Sequence, residues 1–396
     1  MGIGSHCEVR KILFLMKSYN IGGVEIVTSI LSERFSVAGL SVYIVSMEDA
    51  NPEMVRRTSQ SVHFVQLKGS FIHKLFQFRS VVSDCKIDCI INQWGLPFVT
   101  SILVRFSLLP GIRVFSFYHN DPSNVAFVRC EENAVHNTKG IVCLFHKLLY
   151  HSKNRISILG FKVAYSISDR YYLLSNSFVD KFKKSLNIAE SNKIGVLTNP
   201  ITIDYTGYDF DFIHKRKEII FVGRLDDNQK KVSRIIDIWA LLNTEFSDWS
   251  LTIVGDGPER EKIEKLIACK NLSNISLVGF QKPRIFYERS SILILTSDYE
   301  GFPLVLPECM VFGVIPVVYA SYSAIYDIIN DRENGLIVEP QNGQFSPKKM
   351  ADSMASLMSD NEKREQMANN AISSVRNKFS IDIIYKQWMN LFYEVE

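Results

Sequence analysis

Short apolar runs separated by longer amphipathic stretches set the rhythm of this chain. In the first half KILFLM (11–16), SVYIVSM (41–47), VHFVQL (62–67), IDCIIN (87–92), RVFSFYH (113–119) and YYLLS (171–175) read as strands. The second half repeats the rhythm with EIIFVG (218–223), SLTIVG (250–255), ISLVG (275–279), SILILTS (291–297) and VIPVVYA (314–320). Helices are predicted between them, among others over 230–246, 258–270 and 346–378. Strands that are apolar without alternation are buried on both faces. Interleaved with helices, they mean parallel sheets covered on either side.

Two such arrays predict an α/β protein of two Rossmann-like domains. The polar, aperiodic stretch TNPITIDYTGYDFDFIHKRK (198–217), which carries Pro200, is predicted as the linker. The first domain is then 1–197 and the second 218–378. The closing segment, 379–396, is an aromatic amphipathic helix whose apolar face needs a surface to cover.

Composition adds limits. A chain of 396 residues is too long for one ordinary core. With 46% hydrophobic and 22% charged residues it is a folded protein and not a disordered one. The net charge of +3 speaks against a nucleic-acid partner, but it is unevenly spread. Residues 1–195 hold 23 basic and 14 acidic side chains, a net of 23 − 14 = +9. The remainder holds 45 − 23 = 22 and 42 − 14 = 28, a net of −6. The first half is therefore expected to meet something anionic. The seven cysteines are scattered, and Cys85 and Cys89 have no second pair to complete a metal site. They read as reduced thiols of a cytoplasmic protein. KILFLM is too short for a secretory signal, and no apolar window reaches transmembrane length.

In an open parallel sheet, ligands sit beyond the carboxyl ends of the strands. Gly223-Arg224, Gly255-Asp256-Gly257, Gly279-Phe280 and the stretch after SILILTS occupy those positions in the second domain. Arg224 at a strand end and Lys230 at a helix start are two cations suited to a diphosphate. In VGDGPERE the glycines permit close backbone approach, which serves a tight turn as well as a ligand. SDYEGFPLVLPE places Glu300 in a loop and Glu308 in the following helix, with Gly301 between them. Carboxylates accept hydrogen bonds from sugar hydroxyls, and two of them could grip two sugars.

These motifs together resemble family 4 of the retaining, nucleotide-sugar-dependent glycosyltransferases, which have the GT-B fold. The family pattern is a glutamate, seven residues and a second glutamate, here Glu300 and Glu308. A Gly-Arg-Leu segment with a downstream lysine precedes it, here Gly223, Arg224, Leu225 and Lys230. GDGP (255–258) and GVIPVV (313–318) also match, so the resemblance covers most of 218–340. The first half matches more sparsely, through YNIGGVEIVTSILSERF (19–35) and FYHNDP (117–122). Lys231 stands where many relatives have glycine, and Pro303 where many have a second glycine.

The resemblance implies two domains facing across a cleft, with the last helix packing back on the first domain. It implies transfer of a hexosyl or N-acetylhexosaminyl unit from a nucleoside-diphosphate sugar to a lipid-linked or polysaccharide acceptor, with retained configuration. Arg224 and Lys230 would stabilise the departing diphosphate, Glu308 would hold the ribose and Glu300 the transferred sugar. The backbone from Gly301 to Leu304, with Phe302 and Pro303 in the same donor-binding loop, would add hydrogen-bond donors, and Gly279 and Phe280 would meet the base. Gly22 and Gly23 would let backbone approach the donor phosphate, and His119 would contact the sugar. No cofactor or metal is implied. Asp209-Phe210-Asp211 spells a metal motif of a different fold but lies away from any strand end.

The stretches 71–79 and 145–165 mix apolar and basic residues, and the second has no acid at all. Such segments suit an anionic bilayer, so peripheral contact at the inner face of a membrane is expected. Lipopolysaccharide, O-antigen or capsule synthesis would fit. Two other readings compete: a sugar-nucleotide epimerase of related fold, and a non-catalytic subunit. The paired glutamates favour transfer, and the retention of Arg224, Lys230, His119 and both glutamates opposes the second.

Overall fold

The computed structural model describes residues 9–393. The chain forms two compact units. The first runs to Pro200 and takes in the residues from Ile381 onward, and the second is Ile201–Ser380.

The first unit holds seven strands, β1 (Lys11–Met16), β2 (Ser41–Ser46), β3 (Val62–Gln66), β4 (Cys89–Asn92), β5 (Arg113–Tyr118), β6 (Arg170–Leu173) and β7 (Ile194–Val196). They form one sheet in the order β3-β2-β1-β4-β5-β6-β7, every pairing parallel. Its helices are α1 (Gly23–Val37), α2 (Pro52–Arg57), α3 (Phe71–Asp84), α4 (Phe98–Ser107), α5 (Ala126–Asn137), α6 (Gly140–Ile167) and α7 (Val179–Leu186). Leu13, Leu15, Ile90 and Val114 from the strands pack with Phe78, Val82, Leu103 and Val104 from α3 and α4, which is why those strands carry no polar alternation.

The second unit repeats the plan. Strands β8 (Glu218–Val222), β9 (Ser250–Val254), β10 (Ile275–Gly279), β11 (Ile292–Leu295), β12 (Ile315–Tyr319) and β13 (Leu336–Val338) pair in the order β10-β9-β8-β11-β12-β13, all parallel. Helices α8 (Val232–Leu242), α9 (Arg260–Cys269), α10 (Arg284–Arg289), α11 (Val305–Met310), α12 (Ile325–Ile328), α13 (Pro347–Met358) and α14 (Asn361–Phe379) complete it. In each sheet the strand order reverses once, at β1/β4 and at β8/β11, and a crevice forms there beyond the strand ends.

The expected helix over 346–378 is two helices. Asp360 accepts a hydrogen bond from the Lys363 amide at 3.0 Å and caps α14, so the chain restarts there. The last helix, α15 (Ile381–Tyr393), packs on the first unit. Trp388 stacks on Phe117 at 5.0 Å and meets Phe35 edge-on at 5.7 Å. Arg34 pairs with Asp382 at 3.1 Å.

The stretch expected to be a linker is largely tied down. Tyr208 donates to the Phe312 carbonyl at 3.2 Å, and Lys215 Nζ to the Tyr287 carbonyl at 2.7 Å. A Cβ on Gly313 would lie 2.3 Å from the Phe210 ring, so that glycine makes room for the segment. Six cysteines are free thiols, and Cys7 lies outside the described residues. Among the described residues no helix is long and apolar enough to cross a membrane.

Candidate active site

In the second unit the turns after β8, β9 and β10 are knitted edge to edge. The Gly223 amide donates to the Val254 carbonyl at 3.0 Å, Leu225 to Asp256 at 2.9 Å, and Gly255 to Gly279 at 2.8 Å. A Cβ at Gly255 would sit 1.9 Å from the Gly223 carbonyl, and one at Gly257 would sit 2.4 Å from that of Leu225. Both glycines are therefore explained by backbone packing between neighbouring turns, and their service is to hold the rim that carries Arg224.

Behind that rim stands a network of charges. Lys230 Nζ donates to Glu300 Oε1 at 2.5 Å, with both side chains largely buried. Gln229 Nε2 reaches the other Glu300 oxygen at 3.2 Å and the Tyr299 carbonyl at 3.2 Å. The Asp298 amide donates to the Gln229 carbonyl at 2.8 Å, which joins the loop after β11 to the loop after β8. Asp298 also takes Arg234 at 2.5 Å and Lys231 at 3.4 Å. A pair so desolvated holds one geometry because each charge is costly without the other.

Lys231 adopts φ +54, the left-handed conformation. Glycine takes that conformation without cost, and the lysine bears a small backbone strain in its place. Arg224 is different in kind. It pairs with Asp226, but its side chain is 65% exposed and free to move onto an arriving anion.

Glu308 lies on the first turn of α11 and accepts a hydrogen bond from the Thr202 hydroxyl. Burial pushes its carboxyl above the ordinary range, against the hydroxyls of Thr202 and Tyr287, which pull it down. Gly301 and Pro303 are buried, and the Leu306 amide donates to the Pro303 carbonyl at 3.0 Å. Leu304 caps α11 and is partly buried. The Phe302 side chain is buried against Phe379, ring centroids 5.4 Å apart, and supports the loop from within. Gly279 has φ +71, and Phe280 beside it is 74% exposed, a large apolar side chain without cover at a strand end. Asp211 caps a single helical turn by accepting from the Ile213 amide at 3.0 Å, and among the described residues no group of acids, histidines or cysteines is arranged to hold a metal.

In the first unit His119 follows β5. Its Nε2 bonds Gln93 Oε1 at 2.7 Å, while Gln93 Nε2 faces Thr28 Oγ1 at 3.3 Å. Thr28 already donates to the Val24 carbonyl at 2.8 Å, so its oxygen is the acceptor for the Gln93 amide. The Gln93 oxygen must then accept from His119 Nε2–H. This fixes the tautomer and leaves buried Nδ1 as an acceptor with no protein partner. Burial lowers the imidazole to about 4, so it is neutral at physiological pH.

Gly22 precedes α1 and Gly23 opens it. The Glu25 carboxylate occupies the start of α1, where a Cβ on Gly22 would lie 2.5 Å from Glu25 Oε2. Burial raises the Glu25 carboxyl, and backbone amides of Glu25 and Asn20 pull the other way.

Gln229, Asp298, Thr202 and Gln93 escaped the sequence reading. Gln93 directly follows the run IDCIIN, so the strand-end rule could have found it. The others have side chains common in any loop.

Two parallel α/β units, with a polar network at the strand-order reversal of the second, define the class as a two-domain, Rossmann-like α/β fold. Comparison with known proteins makes this specific. Residues 209–374 match the family described as Glycosyl transferases group 1. Over 400 residues the chain is 27% identical to a Campylobacter jejuni enzyme, covering 98% of this chain and 99% of that one. That enzyme is named GalNAc-alpha-(1->4)-GalNAc-alpha-(1->3)-diNAcBac-PP-undecaprenol alpha-1,4-N-acetyl-D-galactosaminyltransferase. The amylovoran biosynthesis glycosyltransferase AmsD of Erwinia amylovora is 24% identical, covering 96% of this chain and 99% of its own. Among solved structures, Anabaena HepE in complex with UDP and glucose superposes with a TM-score of 0.73 at 15% identity, covering 98% and 100% of the two chains. The chain is a glycosyltransferase with the GT-B fold, similar over 209–374 to the group 1 glycosyl transferases.

Proposed function

We propose that this glycosyltransferase moves a hexosyl or N-acetylhexosaminyl unit from a nucleoside-diphosphate sugar to a lipid-linked or polysaccharide acceptor, with retention and without a metal. The observation that carries the reading is the buried Lys230–Glu300 pair beside exposed Arg224 at the strand-order reversal of the second unit. Lys230 lies between a fixed carboxylate and the site, and Arg224 can leave Asp226 for a diphosphate. Cations set where charge develops on the leaving group supply the main electrostatic catalysis. We assign Glu300 to the hydroxyls of the transferred sugar, Glu308 to the ribose, and the exposed turn at Gly279 and Phe280 to the base.

In the reaction so read, the bond from the anomeric carbon to the diphosphate oxygen breaks. A bond to the acceptor oxygen forms on the same face, and the leaving phosphate takes the acceptor proton. His119, neutral and with Nδ1 as acceptor, orients a substrate hydroxyl and carries no charge into the step.

Support for a lipid-linked acceptor comes from the name of the Campylobacter relative, which specifies an undecaprenol-linked glycan, and from AmsD for a polysaccharide. UDP is the nucleotide we expect, because the HepE structure holds it. Contact with an anionic bilayer is proposed for α3 and α6. On α3, Phe71, Ile72 and Phe76 are exposed. The test of the reaction class is the product. Incubation with α-linked UDP-sugars and a lipid-linked glycan, followed by NMR of the new anomeric proton, should show an α linkage. A β linkage overturns retention, and sugar conversion without any acceptor turns the reading toward an epimerase.

A further inference from the structure

Beyond β1, β4 and β5 the first unit encloses a cavity of about 590 Å³, within the range of about 300–1,000 Å³ typical of pockets for one small molecule. Its walls are mostly apolar, with Trp94, Leu96, Phe98, Val125, Phe127 and Ile156 foremost. No carboxylate lines it, and Lys17 is its one charged lining residue apart from neutral His119. This is unlike the second unit, where glutamates, an aspartate and an amide crowd the strand ends.

Two buried polar atoms on the cavity's lining residues lack protein partners, Trp94 Nε1 and His119 Nδ1. One is a donor and the other, by the tautomer argued above, an acceptor. An uncompensated buried polar group is costly, and the head of a lipid-linked glycan removes that cost, with a phosphate oxygen for the Trp94 Nε1–H and a glycan hydroxyl for His119 Nδ1.

The cavity also opens onto a particular surface. Val99, Phe127 and Ile156 line it and are 43%, 38% and 51% exposed. Ile156 belongs to α6, where exposed Ile141, Phe145 and Leu148 precede it and Leu159 follows along one helical face. Between Glu132 and Asp169 the chain has no acidic residue, while Lys147, Arg155 and Lys162 are exposed. An apolar stripe with a cationic border suits an anionic bilayer. The mouth of the cavity lies on that stripe, so a hydrocarbon chain can enter without crossing water.

We propose that this cavity receives the isoprenoid chain of a phosphate-linked lipid acceptor, with the phosphate beside Lys17. This rests on the acceptor reading above and adds to it a specific chain-binding pocket. One cavity accommodates one chain, which favours a single-chain isoprenoid over a two-chain phospholipid.

The test uses intrinsic fluorescence. Trp239, Trp249 and Trp388 are fully buried in the cores, so Trp94 is the tryptophan placed to respond. The whole protein is titrated with geranylgeranyl diphosphate, farnesyl diphosphate, inorganic pyrophosphate and dioctanoyl phosphatidic acid, all below micelle formation. Geranylgeranyl diphosphate should bind at least ten-fold tighter than farnesyl diphosphate, and pyrophosphate should not respond. Ala126→Phe, which fills the cavity from an exposed lining position, and Phe127→Ser, which removes a wall, should each weaken it ten-fold or more. Equal affinity whatever the chain length, or full affinity in both variants, overturns the proposal. Tighter binding of the phospholipid overturns the isoprenoid assignment. Thermal stabilisation by UDP on the same preparations separates the failures: if UDP binds and the prenyl series does not, only the pocket falls.

Discussion

The two units solve the same geometric problem with opposite chemistry. Each is a parallel sheet whose strand order reverses once, and each has its crevice at that reversal. In the second unit the crevice is built from ion pairs, Lys230–Glu300, Arg234–Asp298 and Arg224–Asp226. In the first it is a mostly apolar cavity with a neutral histidine and one lysine. The topology decides where a ligand can sit. The residues at the strand ends decide what it is, and a shared fold says nothing of that by itself.

The largest effect expected on this contrast comes from its charged side. Arg224→Ala and Lys230→Ala should each lower kcat by about 10²–10³, the scale of removing one preorganised charge-stabilising group. They should differ in stability. Arg224 is mostly exposed, so its loss should leave Tm nearly unchanged. Lys230→Ala leaves Glu300 buried without its cation, at a cost on the order of 3 kcal/mol. The double variant Lys230→Met with Glu300→Gln should recover Tm and not activity. Equal stability losses in the two single variants would contradict the pairing.

A comparable shift in stability should appear on the neutral side as a pH dependence. His119 is held near 4 by burial, whereas an unfolded histidine titrates near 6.5. The unfolded chain therefore binds the extra proton first, and stability falls as pH drops from about 6.5 toward 4. The limit is about 3 kcal/mol at about 1.4 kcal/mol per unit. Denaturant titrations of wild type and His119→Asn should diverge only below about pH 6.5. Parallel curves over the whole range would place the histidine in an ordinary solvated setting.

Glu308 gives a smaller effect with a sign of its own. Its folded carboxyl is raised by burial, so the charge costs stability at neutral pH and the cost disappears as pH falls below the folded value. Glu308→Gln keeps an acceptor for the Thr202 hydroxyl and removes that cost. Its Tm at pH 8 should equal or exceed wild type, while nucleotide affinity falls about ten-fold, the loss of one hydrogen bond to a charged group. The smallest effect expected is none: EDTA should leave turnover unchanged, and abolished activity would revive Asp209 and Asp211.

The units also differ in how much of them the chain's letters reveal. Strands such as IDCIIN and SILILTS are legible because burial on both faces leaves no polar alternation. The three-residue edge strands β7 and β13 are too short to show a period. Arg224, Lys230, Glu300 and Glu308 could be read because charges at strand ends must be those residue types at that spacing. The cavity could not be read. Trp94, Phe98 and Ile156 come from separated segments, and each alone is an ordinary apolar residue.

Thermal unfolding with a panel of nucleoside diphosphates and nucleotide sugars, metal-free, tests the central claim most directly. A ligand at 100 times its Kd adds about 2.7 kcal/mol. The account predicts that UDP raises the Tm of wild type and fails to raise that of Arg224→Ala at the same concentration. Stabilisation of both proteins alike, or of neither, would contradict a donor site built on Arg224, Lys230 and Glu300.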